Sequence, residues 1–145
     1  MTHLPANPVY ARGFEEVEHT ADRALRIWGR DLAELFVNAA LGMNSLMLAA
    51  EADSEPAPAK SFTLEAIDAE NLLVAWLSEL AFYAETELLI FTRFEFSRIS
   101  PTGLSAVARG NRVGALEKHV KAVTFHNLEI RSACDGLSTT VVFDV

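Results

Sequence analysis

Two carboxylates lie next to each other at the end of the sequence, which reads VVFDV. Asp144 is one residue from the free carboxylate of Val145, and strand alternation turns its side chain away from Val141 and Phe143. Carboxylates this close repel unless a proton or cation neutralises them, and calcium and magnesium prefer oxygen ligands of this kind. The chain end is therefore a candidate cation site. The ordinary alternative is that Asp144 is a solvent-exposed carboxylate at the end of a strand.

The stretch EHTADRA, between two predicted strands, holds two more candidates. Asp22 offers a carboxylate, but Asp is also a common loop residue and a local cap. His19 could ligate a metal, act as a base or simply form a hydrogen bond. The residues alone leave open whether this loop and the chain end belong to one site.

A locally basic segment contrasts with the rest of the chain, whose formal net charge is −8. It contains Lys118, His119, Lys121 and His126. Solvated charge is the ordinary interpretation of such a segment, and contact with a partner is the alternative.

The bulk composition excludes several classes of function. With 20 Asp and Glu against 12 Lys and Arg, the chain is a poor candidate for tight nucleic-acid binding by itself, but it could bind a basic protein. The sequence has no Gly-rich phosphate loop, His-x-x-x-His pair, nucleophile elbow or Cys-x-x-Cys pair. A single cysteine, Cys134, predicts a reducing compartment, and no apolar run suits a signal peptide or a membrane span. We therefore predict a cytoplasmic protein that does not associate with membranes.

The hydrophobic pattern predicts strands at both ends of the chain and two helices between them. In RALRIW, Leu25 and Ile27 share one face, as in a strand. Asp31, with Glu34 in a capping box, and Asp68 are predicted to cap two amphipathic helices. We predict an α/β two-layer sandwich, with a mixed, mostly antiparallel sheet of about six strands and both helices on one face. Residues 1–12 are predicted to be a flexible extension, and residues 13–145 a single domain.

Several of these segments resemble the motifs of the archease family, in the same order. They are EHTADRALRIWG with the helix DLAELFVNAALGMNSLM, then DAENLLVAWLSELAFYAETE, VKAVTFHNLEI and the terminal VVFDV. The resemblance covers roughly residues 14–145.

This resemblance implies a non-enzymatic protein that activates the RtcB-type RNA ligase of tRNA splicing and RNA repair by promoting its guanylylation from GTP. It also implies a divalent-cation site made by Asp22, Asp144 and Val145, with calcium expected first and magnesium or manganese as alternatives. Lys121 matches a lysine of the family, and His19 and His126 are further candidates for partner contact. Phe125 stands where the family pattern leads us to expect Tyr.

Two other classes of function remain open. The first is a metal-dependent hydrolase or phosphotransferase, with a cation activating water and His19 or His126 as the base. The second is a chaperone-like binding module for tRNA-modifying enzymes.

Overall fold

A computed structural model describes residues 13–17, 22–48, 54–125 and 127–145. Two helices and nine strands form in these ranges. The strands are β1 (Phe14–Val17), β2 (Arg23–Gly29), β3 (Ser54–Pro56), β4 (Lys60–Glu65), β5 (Leu89–Ser100), β6 (Gly103–Val113), β7 (Ala122–Thr124), β8 (Arg131–Ala133) and β9 (Gly136–Asp144). The helices are α1 (Leu32–Met47) and α2 (Ala69–Glu87). The predictions made for residues 1–12, His19 and His126 fall outside the described residues, and the single-domain organisation stays a prediction.

Both helices begin at the predicted caps. The Asp31 carboxylate accepts a hydrogen bond from the backbone N–H of Glu34 at 2.9 Å, and Asp68 accepts one from the N–H of Asn71 at 2.8 Å. These bonds satisfy N–H groups that a first helical turn leaves without a backbone partner. The Glu34 carboxylate accepts in turn from the backbone N–H of Arg30 at 2.9 Å. The capping box is therefore displaced by one residue from its usual reciprocal form.

The strands make two sheets, and every pairing among the described strands is antiparallel. In the first sheet, β9 lies between β2 on one edge and both β7 and β8 on the other, and β1 pairs with the outer edge of β2. In the second sheet, β6 lies between β5 on one edge and both β3 and β4 on the other.

The predicted class, an α/β sandwich with two helices and antiparallel strands, is confirmed, but the strand count and the single sheet are corrected to nine strands in two sheets. The additional strands β3, β7 and β8 have three residues each; β3 and β8 are fully exposed, and β7 is partly buried at Val123 and Thr124. They therefore lack the alternation of apolar and polar residues that predicts a strand.

A single hydrophobic core joins the helices to the inner faces of both sheets. Trp76 of α2 is fully buried, and its indole N–H donates to the backbone carbonyl of Phe36 in α1 at 3.1 Å. The rings of Phe94 and Phe96 in β5 lie 5.6 and 5.4 Å from the Trp76 ring. Trp76 thereby links the two helices to the second sheet and fixes which face of β5 points inward.

Candidate functional site

The register of β2 and β9 brings the two candidate aspartates together. Arg23 pairs with Phe143 and Ala24 with Val142, so one further step of the same register sets Asp22 opposite Asp144. Side chains alternate across a strand, and Phe143 is fully buried in the core. Asp22 and Asp144 therefore share the outer face of the first sheet, where directly opposed residues have Cβ atoms about 4.5–5.5 Å apart.

The other predicted residues at this end of the sheet are Val145 and Lys121. The backbone N–H of Lys121 donates to the carbonyl of Asp144 at 2.7 Å, which holds the segment before β7 against the end of β9. The Lys121 side chain is exposed, whereas Val145 is partly buried against the core. Four of the six predicted site residues thus lie at one end of the first sheet, and the other two, His19 and His126, are outside the described residues.

Neither aspartate is neutralised by a neighbour in the part of the chain that the structure describes. Asp22 and Asp144 form no ion pair or side-chain hydrogen bond there. The same ranges contain no cluster of three or more His, Cys, Asp or Glu side chains arranged for a metal. Two facing, unneutralised carboxylates supply the oxygen ligands that a hard divalent cation prefers.

The nearest cation in the sequence, Arg23, is already paired on the opposite face of the sheet. Its guanidinium donates two hydrogen bonds to the Glu16 carboxylate, one of them 2.8 Å long. These bonds hold the pKa of Glu16 below its ordinary value, and the positive charge of Lys118 lowers it further. Arg23 is therefore committed to Glu16, and the charge of the Asp22–Asp144 pair is left uncompensated.

A buried strip next to the aspartates was not predicted. Ala24 and Val142 share the outer face with them, yet they are only 1% and 7% exposed. Thr124 pairs with Val142, and its hydroxyl is buried without a hydrogen-bond partner among the described residues. The signal that could have revealed this strip is the consecutive apolar run of VVF, because strands covered on both faces lack alternation.

The basic segment and the aromatic residue near it lie largely at the surface. The Nδ1 atom of His119 lies 2.8 Å from the Glu85 carboxylate of α2. Phe125, which follows β7, is 44% exposed. Neither helix of the described ranges has the length and apolar character needed to cross a membrane.

Comparison with known proteins places this fold and its motifs in one family. The chain matches the model of the Archease protein family over residues 14–145. It is 34% identical over 147 residues to the protein named archease of Methanosarcina acetivorans, and the alignment covers 95% of this chain and 99% of that protein. It is 36% identical over 137 residues to the archease of Pyrobaculum islandicum, which covers 88% and 92% of the two chains.

Solved structures share this fold. The solution structure of protein 1598 of Methanobacterium thermoautotrophicum superposes with a TM-score of 0.69 at 33% identity, over 92% of this chain and 99% of that one. The crystal structure of a Thermotoga maritima archease, described as a possible chaperone, shares the fold with a TM-score of 0.65 at 22% identity, over 99% and 100% of the two chains. On the family match and the identity to these relatives, the chain belongs to the archease family.

Proposed function

We propose that this protein is a non-enzymatic cofactor that activates an RtcB-type RNA ligase, promoting its guanylylation from GTP and its multiple turnover in tRNA splicing and RNA repair. Family membership over residues 14–145 supports this function. The observation that carries it is the register that sets Asp22 opposite Asp144, beside the backbone-anchored Lys121. It brings to one end of a sheet the aspartates that the family resemblance assigns to the cation site and the lysine that it assigns to partner contact.

The carboxylates of Asp22, Asp144 and Val145 would hold a divalent cation, with calcium expected first and magnesium or manganese as alternatives. When bound, the cation would supply positive charge that neutralises these groups and joins the start of β2 to the end of β9. The exposed ammonium of Lys121 would then be presented to the ligase from a segment fixed by its bond to Asp144. His19 and His126 remain candidates for the same contact.

The activation is tested by measuring the covalent guanylate on the cognate ligase, with radiolabelled GTP and substoichiometric amounts of this protein. The protein should speed the formation of labelled ligase, and by itself it should neither bind GTP tightly nor join RNA ends. Asp144→Asn should weaken this effect. Asp135→Asn is the matched control, because Asp135 lies exposed in the β8–β9 turn and the two changes remove the same charge. An unchanged guanylate signal with both partners folded would exclude the activator role.

The two other functions have separate tests. A metal-dependent hydrolase or phosphotransferase should turn over generic phosphoesters when metal is added to the purified protein. The description of the Thermotoga maritima protein as a possible chaperone favours a chaperone-like module, which a pull-down from the native host would reveal by recovering tRNA-modifying enzymes instead of the ligase.

A further inference from the structure

The outer face of the second sheet carries three arginines, which we call the arginine face: Arg93, Arg98 and Arg109. Arg93 of β5 pairs directly with Arg109 of β6, and Arg98 pairs with Ser105. The intervening positions on β6 are buried in the core, so the three arginine side chains project to the opposite side of the sheet. Arg98 extends along this face, because its guanidinium lies 2.9 Å from where a Cβ would stand on Gly103.

None of these three arginines is paired within the described part of the chain. They form no ion pair and no hydrogen bond there. By contrast, the exposed Arg30 and Arg131 each contact a glutamate, at 3.1 and 2.9 Å. Like charges directly opposite each other destabilise a sheet. A chain of net charge −8 therefore keeps two unpaired arginines side by side, an arrangement that a bound anion would relieve.

The surroundings of the arginines combine hydroxyl groups, two carboxylates and some apolar surface. A depression of about 140 Å³ between Arg93 and Arg109 is also lined by Phe94, Glu95 and Val107. Glu65 lies at the far end of the face. Neither glutamate forms an ion pair with an arginine of this face. Three hydroxyl side chains lie on the same face: the exposed Ser61 and Thr63 of β4 and the half-buried Ser105 of β6. Arginine, serine and threonine side chains are the groups that contact nucleic-acid phosphates.

The face has arginines, which are common in protein interfaces, but it lacks large exposed hydrophobic residues. The large exposed hydrophobic residues of the described chain are Ile67, Phe82 and Phe125, and none of them lies on β4, β5 or β6. Protein interfaces rely on aromatic or aliphatic anchors at their centre. The absence of exposed aromatic rings from these three strands also removes base stacking, so binding would depend on the backbone of the nucleic acid and not on its sequence.

We propose that the arginine face binds the phosphodiester backbone of single-stranded RNA, weakly and without sequence preference. The phosphodiester chemistry follows from the unpaired arginines, whereas the choice of RNA over DNA rests on the proposed ligase-activating function. This surface belongs to the second sheet and shares no strand with the Asp22–Asp144 site. An activator with such a surface would hold an RNA strand near the ligase while its Asp22–Asp144 site acts on the enzyme.

The test uses this protein alone and measures the fluorescence anisotropy of a labelled oligouridylate. Three arginine contacts predict a slope of log affinity against log salt near −2, which is about a 20-fold loss of affinity between about 50 and 200 mM salt. Arg93→Gln with Arg109→Gln should weaken binding at least about tenfold at the lower salt and make the slope shallower by about 1.4. Glu95→Gln should tighten binding, because it removes the carboxylate of the depression.

The matched control is Arg30→Gln with Arg131→Gln, which changes the net charge equally but removes arginines that already contact glutamates. It should leave RNA affinity within about twofold of the wild type, the scale of a long-range charge effect. Equal losses in the two double variants would overturn the proposal. So would tighter binding of the matching DNA, or displacement of the RNA by polyglutamate as effectively as by unlabelled RNA, which would indicate an acidic protein partner.

Failure of this proposal is distinguishable from failure of the proposed function. The anisotropy assay contains no ligase, and ligase guanylylation is measured without RNA. The Arg93→Gln, Arg109→Gln double variant should therefore activate guanylylation at the wild-type rate while its RNA binding is lost. Loss of guanylylation in this variant would show that the arginine face contacts the ligase and would overturn its assignment to RNA.

Discussion

Replacing Asp144 with Asn should change the stability of the protein in opposite directions with and without a divalent cation. The pairing of β2 with β9 sets Asp22 opposite Asp144, and neither has a cationic partner among the described residues. In a chelator the two carboxylates repel each other, and Asp144→Asn removes that repulsion. In excess calcium the same substitution removes a proposed ligand.

The size of both effects follows from the exposed position of the pair. Two charges about 5 Å apart in water repel by about 0.8 kcal/mol, and the solvent exposure of Asp144 makes this high-dielectric value the appropriate one. A cation at a hundredfold excess over its dissociation constant stabilises the folded state by about 2.7 kcal/mol. For a chain of this length, each kcal/mol shifts the melting temperature by about 2–4 °C. In chelator, Asp144→Asn should therefore melt about 2–3 °C above the wild type. In calcium, the lost binding energy exceeds the relieved repulsion by about 1.9 kcal/mol, so the variant should melt about 4–8 °C below the wild type.

The assay is thermal unfolding followed by circular dichroism, in chelator and across a calcium titration, with magnesium and manganese as parallel series. Asp135→Asn should behave like the wild type in every series, because Asp135 lies in a turn at the other end of β9. A C-terminal tag should abolish the calcium-dependent rise, since it converts the Val145 carboxylate to an amide. A variant that is less stable than the wild type by the same amount in chelator and in calcium would refute the reasoning, because Asp144 would then have a purely structural role.

Three further predictions concern other parts of the molecule. Gly110→Ala should lower the free energy of unfolding in urea by about 3 kcal/mol, because the added Cβ would stand 2.6 Å from a backbone atom of β5. The control Gly114→Ala, whose Cβ would have no atom within 4 Å, should change it by less than about 0.5 kcal/mol. Equal effects of the two substitutions would contradict the close approach of β5 to Gly110. Because the pKa of Glu16 is lowered from 4.5 in the folded state, the stability that its pair with Arg23 contributes should be present above pH 4.5 and lost as the pH falls through the folded pKa. Arg23→Gln should therefore be less stable than the wild type by about 0.2–1 kcal/mol at neutral pH and converge with it in acid, whereas a pH-independent difference would argue against the pair. Lys121→Ala should slow ligase guanylylation and shift the melting temperature by less than about 2 °C, and a large drop in melting temperature would make Lys121 a structural residue.

The sequence is most informative where local chemistry decides the structure. Both helix caps, Asp31 and Asp68, are predicted correctly because a cap depends only on residues within one turn. Likewise, the alternation of Val141 and Phe143 correctly predicts the core face of β9. The division into two sheets is not readable in this way, because it depends on which distant strands pair. Strand β6, for example, pairs with three different strands, and no local pattern encodes that number.

The candidate site shows the same division between local and distant information. Composition and spacing identify Asp144 with Val145 as an anionic chain end, but only the β2–β9 register brings Asp22 to it from the other end of the sequence. Net charge carries no information about how charge is distributed over the surface. The total of −8 argues against nucleic-acid binding by the whole chain, yet it averages over surfaces and conceals the unpaired Arg93 and Arg109 on one sheet.

The central position of β9 also bears on how the protein is made. Its partner β2 ends at Gly29, more than 100 residues before β9 begins at Gly136, so a ribosome adding about 5–20 residues per second takes about 5–20 s to supply the missing strand. During that time the nascent chain exposes the backbone N–H and C=O groups along one edge of β2, and such an edge readily pairs with other chains. Translation that stalls before β9 therefore leaves a fragment that cannot close its first sheet, and we expect such fragments to aggregate unless a chaperone covers β2.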